Sequence, residues 1–79
     1  MAIKREELIS GCIAKAADNE PVFVLRAQDM LAPDLVREWA RQASLFLGDQ
    51  HPKVRESREL ADLMEHWPTR KYPDSWRLE

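Results

Sequence analysis

The chain has 79 residues, 12 of them lysine or arginine and 14 aspartate or glutamate, with a formal charge of −2 at pH 7. That length makes one domain, 1–79, which buries only about 60% of its unfolded surface and is marginally stable alone. The charge balance argues against broad binding to duplex nucleic acid, no apolar run reaches membrane-spanning length, and a single cysteine, Cys12, excludes an intrachain disulfide.

Residues from about Lys4 to Ala17 read as a first helix. Leu8, Ile9, Cys12, Ile13 and Ala16 fall on one stripe. Gly11 weakens it by about 1 kcal/mol relative to alanine. "DNEP", Asp18 to Pro21, breaks the helix. "VFVLRAQ", Val22 to Gln28, then alternates like an extended segment, with Phe23, Leu25 and Ala27 on one side. A lone strand has no partner in this chain: it would have to pair across an oligomer, lie extended on the helices or be a short helical turn after Pro21, and an extended or irregular segment is expected.

Asp29 suits an N-cap, and Pro33 suits the first turn that follows. The second helix is predicted from about Met30 to Leu47. Leu31, Leu35, Val36, Trp39, Ala43, Phe46 and Leu47 share its apolar face, and Asp34, Arg37, Glu38 and Arg41 lie opposite. Gly48 is a natural stop. A third helix is predicted from about Pro52 to Trp67, with Leu60, Ala61, Met64 and Trp67 as its stripe, flanked by Val54. Arg55 with Glu59, and Arg58 with Asp62, have i,i+4 spacing. Pro68 disfavours helical geometry at Trp67. The expected fold is mostly α: three helices, one extended segment after the first, and a tail rich in proline and aromatic residues.

Two stretches are candidate binding sites. In "EHWPTRKYPDSW", Glu65 to Trp76, two prolines hold Arg70, Lys71 and Tyr72 on a stiffened segment. Arginine offers a planar fork and lysine a point charge. Beside Tyr72 and Trp76 they could hold a phosphate and stack a base. Alternatively Trp67, Tyr72 and Trp76 cover the core while the cations reach water. In "LRAQD", Arg26 and Gln28 alternate with apolar neighbours. They either face a ligand or partner, or Arg26 pairs with Asp29 or Glu20 while Gln28 is solvated. Arg37 and Arg41 read as a solvated charged face, Trp39 as core and Cys12 as a buried small hydrophobe.

Catalytic signals are missing. No Ser/His/Asp order, glycine-rich phosphate loop or carboxylate pair in a cleft is visible. Cys12, His51 and His66 lack metal-ligand spacing. The expectation is a protein that acts by binding, not an enzyme, with no cofactor and no metal. Apolar residues at the stripe margins, including Met30, Leu45, Phe46 and Leu63, add self-association, with a dimer as the commonest symmetry. A thiol and no export signal suit a reducing cytoplasm.

"EPVFVLRAQDMLAPDLVREWA", followed by "RELADLMEHWPTRKYPD", resembles a set of short uncharacterised proteins encoded by tailed bacteriophages. The similarity covers Glu20 to Asp74. It implies a small phage-encoded protein of the host cytoplasm and transfers no catalytic residue. Such proteins often inhibit host enzymes or counter host defence. The resemblance leaves two partner classes open: a host protein, or a small anionic, nucleotide-like ligand.

Overall fold

The computed structural model describes residues 3–72. Four helical segments follow in order: α1 (Lys4–Ser10), α2 (Cys12–Lys15), α3 (Ala32–Leu47) and α4 (Pro52–Glu65). The fold is mostly α, as the periodicity predicts.

The expected first helix is two pieces. Gly11 interrupts it in an extended conformation, φ −91° and ψ −164°. Glycine loses the most backbone freedom in a helix, so this is where the helix gives way. Cys12, expected to be buried, is exposed, as are Ile9 and Ile13. The cause is placement. Helix α1 lies against α2, and among the described residues neither comes within 8 Å, Cα to Cα, of α3 or α4.

Residues 21–26 carry no regular structure, and 27–28 form a turn. The Asp29 amide closes that turn by donating to the Arg26 carbonyl at 2.9 Å. Helix α3 then begins at Ala32, two residues later than the sequence predicts. The Met30 amide is occupied by the carbonyl of Lys71 at 2.8 Å. Asp29 is not the N-cap: Leu31 holds that position without a side-chain cap, and the Asp29 carboxylate accepts from the Leu31 amide at 2.8 Å, before the helix begins. Pro33 sits in the first turn, as expected.

Helix α3 ends at Leu47, and Gly48 follows at φ 91° and ψ 151°. No atom lies within 4 Å of where a Cβ would stand there. Gly48→Ala should therefore lose about 1–2 kcal/mol of stability through backbone strain alone. Urea unfolding reads this directly. An unchanged midpoint would mean the connection relaxes into another conformation. On the far side, the His51 ring accepts from the Lys53 amide at 3.1 Å and caps α4.

Helices α3 and α4 form an antiparallel hairpin. Arg37, early in α3, reaches Asp62 and Glu65, late in α4, at 2.9 and 2.6 Å. The core of the hairpin is small: Ala32, Ala40, Val54 and Ala61 are fully buried, and Met64 nearly so. Trp39, expected in the middle of the core stripe, is 52% exposed, and Leu31, Leu35 and Phe46 on the same stripe are exposed. One neighbouring helix covers one side of an apolar arc. The arc on α3 is wider than α4 can cover, and α1 is not there to take the rest. Trp67 stands just beyond α4 and is 53% exposed, for the same lack of a third layer. Among the described residues no helix is long and apolar enough to cross a membrane.

Candidate functional site

The two candidate stretches meet. The Lys71 amide donates to the Gln28 carbonyl at 2.6 Å, and the Met30 amide donates to the Lys71 carbonyl at 2.8 Å. These bonds make a parallel bridge between Asp29 and Lys71. Residues more than forty positions apart thus lie side by side. The bridge is isolated and takes in only the last residue of the segment from Val22 to Gln28; residues 21–26 stay irregular, as expected.

Arg70 secures the junction. Its guanidinium donates to the Glu65 carbonyl at 3.1 Å and to the Met30 carbonyl at 3.2 Å. One bond satisfies an orphan carbonyl at the end of α4, and the other ties that end to the entry of α3. The Arg70 Nε is buried without a hydrogen-bond partner. Gln28 is half-buried, whereas Arg26, Lys71 and Tyr72 are exposed. The bridge thus brings Gln28, Arg70 and Lys71 together, with Arg26 one turn away along the chain. Trp76 lies outside the described residues.

The polar side of α3 is more structured than a solvated face. Arg37 also approaches Asp34, at 3.6 Å, so three carboxylates surround one guanidinium. Its pKa is raised, chiefly by the hydrogen bond to Asp62 and then by that to Glu65. Asp62 was expected to pair with Arg58. Instead Arg58 reaches Asp49 at 3.0 Å, and His66 meets the Asp62 carbonyl at 2.8 Å. The signal for Arg37 was present as unlike charges on two facing helices, but their register is visible only in three dimensions.

Glu38 accepts from Arg41 at 2.6 Å and from Gln42 at 2.9 Å. Hydrogen bonding from Arg41, then from Gln42, lowers its pKa from an ordinary 4.5 to about 2. A lowered carboxyl pKa stabilises the fold above the ordinary value, and that contribution fades as pH falls towards 2. NMR titration should place the Glu38 midpoint well below 4.5, and Arg41→Ala should raise it. An ordinary midpoint in the parent protein would show that the Arg41 fork is not formed in solution.

Two open hollows run along the outer side of α4. Glu59, Asp62, Leu63 and His66 line one, and Pro52, Arg55, Glu56 and Glu59 the other. Both are rich in carboxylates, a poor environment for an anion. Among the described residues no cluster of three or more His, Cys, Asp or Glu side chains could hold a metal. Comparison with protein-family models, curated proteins and solved structures finds no match.

Proposed function

We propose that this chain is a self-associating protein that acts by binding another protein, not by catalysis. One observation carries this reading: the chain displays its large apolar side chains instead of packing them. Val22, Phe23 and Val24 stand out together on the irregular segment, with Phe23 85% exposed, and the apolar flank of α3 is uncovered as well. Clustered exposed apolar surface on a small protein marks interaction sites, and aromatic anchors dominate their energetics. Set beside the resemblance to phage-encoded proteins, the partner is a host enzyme or a component of host defence, met in the host cytoplasm.

A second reading is a sequestered anionic, nucleotide-like ligand at the tail junction. It draws on the backbone pairing that places Gln28 beside Lys71, with Arg26 and Tyr72 exposed nearby. It is the weaker one, because two Arg70 donors already serve backbone carbonyls.

Affinity capture from host lysate, together with mass spectrometry of the purified protein, separates the two. A stoichiometric host protein lost on Phe23→Asp supports the first. A retained nucleotide lost on Lys71→Ala supports the second and displaces the first.

A further inference from the structure

We propose that α4 starts on a proton-sensitive latch. His51 holds the first turn only with a neutral ring, whereas His66 holds the last turn in either charge state. Acidification therefore frays α4 from the connection at 48–51 and spares the end beside Arg37.

The amides at the start of α4 all go to His51. Pro52 has no amide to satisfy. The Lys53 amide donates to the His51 Nδ1 at 3.1 Å. The amides of Val54 and Arg55 both donate to the His51 carbonyl, at 3.0 and 3.1 Å. Nδ1 accepts only through its lone pair, which fixes the neutral ring with its proton on Nε2. A second proton fills that lone pair and sets a donor against a donor. The Lys53 amide is then orphaned.

At the other end the requirement is reversed. The His66 Nδ1 lies 2.8 Å from the Asp62 carbonyl, and a carbonyl only accepts. The ring therefore donates from Nδ1, and a proton added at Nε2 leaves that bond in place. The same carbonyl accepts from the His66 amide at 3.2 Å.

The surrounding charges act in the same sense. The first turn of α4 holds no acidic residue. Lys53, Arg55 and Glu56 follow His51 along the helix, and Asp49 before it is bound to Arg58 at 3.0 Å. Residues 44–47, the last turn of α3, are uncharged. A charged His51 ring thus stands at the positive end of the α4 dipole. His66 stands at the negative end, lining one hollow with Glu59 and Asp62 and next to Glu65. Arg37 of α3, with Asp34 beside it, holds Asp62 and Glu65, and Arg70 and Lys71 follow in the tail. These cations limit the attraction there, but the Nδ1 bond does not depend on it.

Imidazole is the side chain that ordinarily changes charge between pH 5 and 8. Glu38, lowered to about 2, keeps its charge across that range. The neutral His51 ring stabilises the first turn at the top of the range, and this contribution is lost as pH falls through it. Val54 gives the loss a consequence. It lies in the turn that His51 holds and is fully buried, so a frayed turn loosens α4 from α3 at the connected end.

The test is NMR on the full-length protein. Imidazole nitrogen shifts at pH 8 should show the proton on Nε2 of His51 and on Nδ1 of His66. Amide exchange, corrected for the intrinsic rate at each pH, reads the fraying. Protection at residues 53–55 should fall about 5-fold from pH 8 to pH 5, the scale of one lost cap, relative to residues 62–66. His51→Asn keeps a capping oxygen that does not titrate, so the difference should disappear. His66→Asn should retain it. A proton on Nδ1 of His51 at pH 8 would overturn the latch, and so would equal protection at the two pH values. A response that survives in His51→Asn, or vanishes in His66→Asn, would move the effect to another group. Tautomer and protection are both read on the parent protein, so they decide the matter even where a variant does not fold.

Discussion

Met64→Ala is expected to lower stability by about 2–5 kcal/mol, the range for truncating a buried methionine. Met64 is 8% exposed, and the other buried apolar residues of the core are Ala32, Ala40, Val54 and Ala61. Methionine is the largest of the five, so its loss removes much of the volume that holds α3 to α4. Small domains have little stability in reserve, and a loss of this size can leave the chain largely unfolded. Urea unfolding followed by circular dichroism, at two protein concentrations, separates loss within the chain from loss of association. Native helicity with an unchanged midpoint would mean that the hairpin is held by other contacts. Trp67→Ala should do less to the isolated chain, although the sequence presents Trp67 as the residue that closes the stripe. Half of its surface is already in water, and only buried atoms lose transfer energy on truncation.

The parts of the fold legible in the sequence are those set by local chemistry. Gly48 after Leu47 and Pro52 at the next helix mark the ends of the hairpin connection because each acts on its own backbone. The positions of α3 and α4 follow from the period of their apolar residues. What the period does not contain is how many neighbours a stripe will meet. Leu35, Trp39 and Phe46 look like core because they are continuous with Val36 and Ala43, but a single partner helix covers only part of such an arc. The start of α3 was misplaced for a different reason. Whether Met30 joins the helix depends on its carbonyl, since first-turn amides have no intrahelical partner. That carbonyl accepts from Arg70, far along the chain, and the first helical bond is the one from the Leu35 amide to the Leu31 carbonyl. Arg37 illustrates the same limit. Asp34 and Glu38 are its neighbours in sequence, and the structure adds Asp62 and Glu65 from the facing helix. In the candidate site, proline spacing drew attention to the tail and alternation drew attention to Gln28. Nothing in either stretch indicated that they would pair.

Arg70→Ala tests what the tail is for. The guanidinium donates to two backbone carbonyls, one at the end of α4 and one at the entry to α3, the latter partly buried. Hydrogen bonds to charged groups contribute about 1.5–3 kcal/mol each, less where exposed, so removing both should lower stability by about 2–3 kcal/mol. Arg70→Lys should restore little, because an ammonium is a point charge on a shorter reach and cannot span two carbonyls as a planar fork does. Lys71→Ala should keep the bridge itself, which uses the backbone amide and carbonyl of Lys71. Hydrogen exchange gives a local readout. The amides of Met30 and Lys71 should lose protection in Arg70→Ala, while amides in the middle of α3 fall only by the global loss of stability. If Arg70→Ala is as stable as the parent and those two amides stay protected, the guanidinium is not the brace of the junction. Its charge would then be available to an anion, and the nucleotide-like ligand would become the better account of the site.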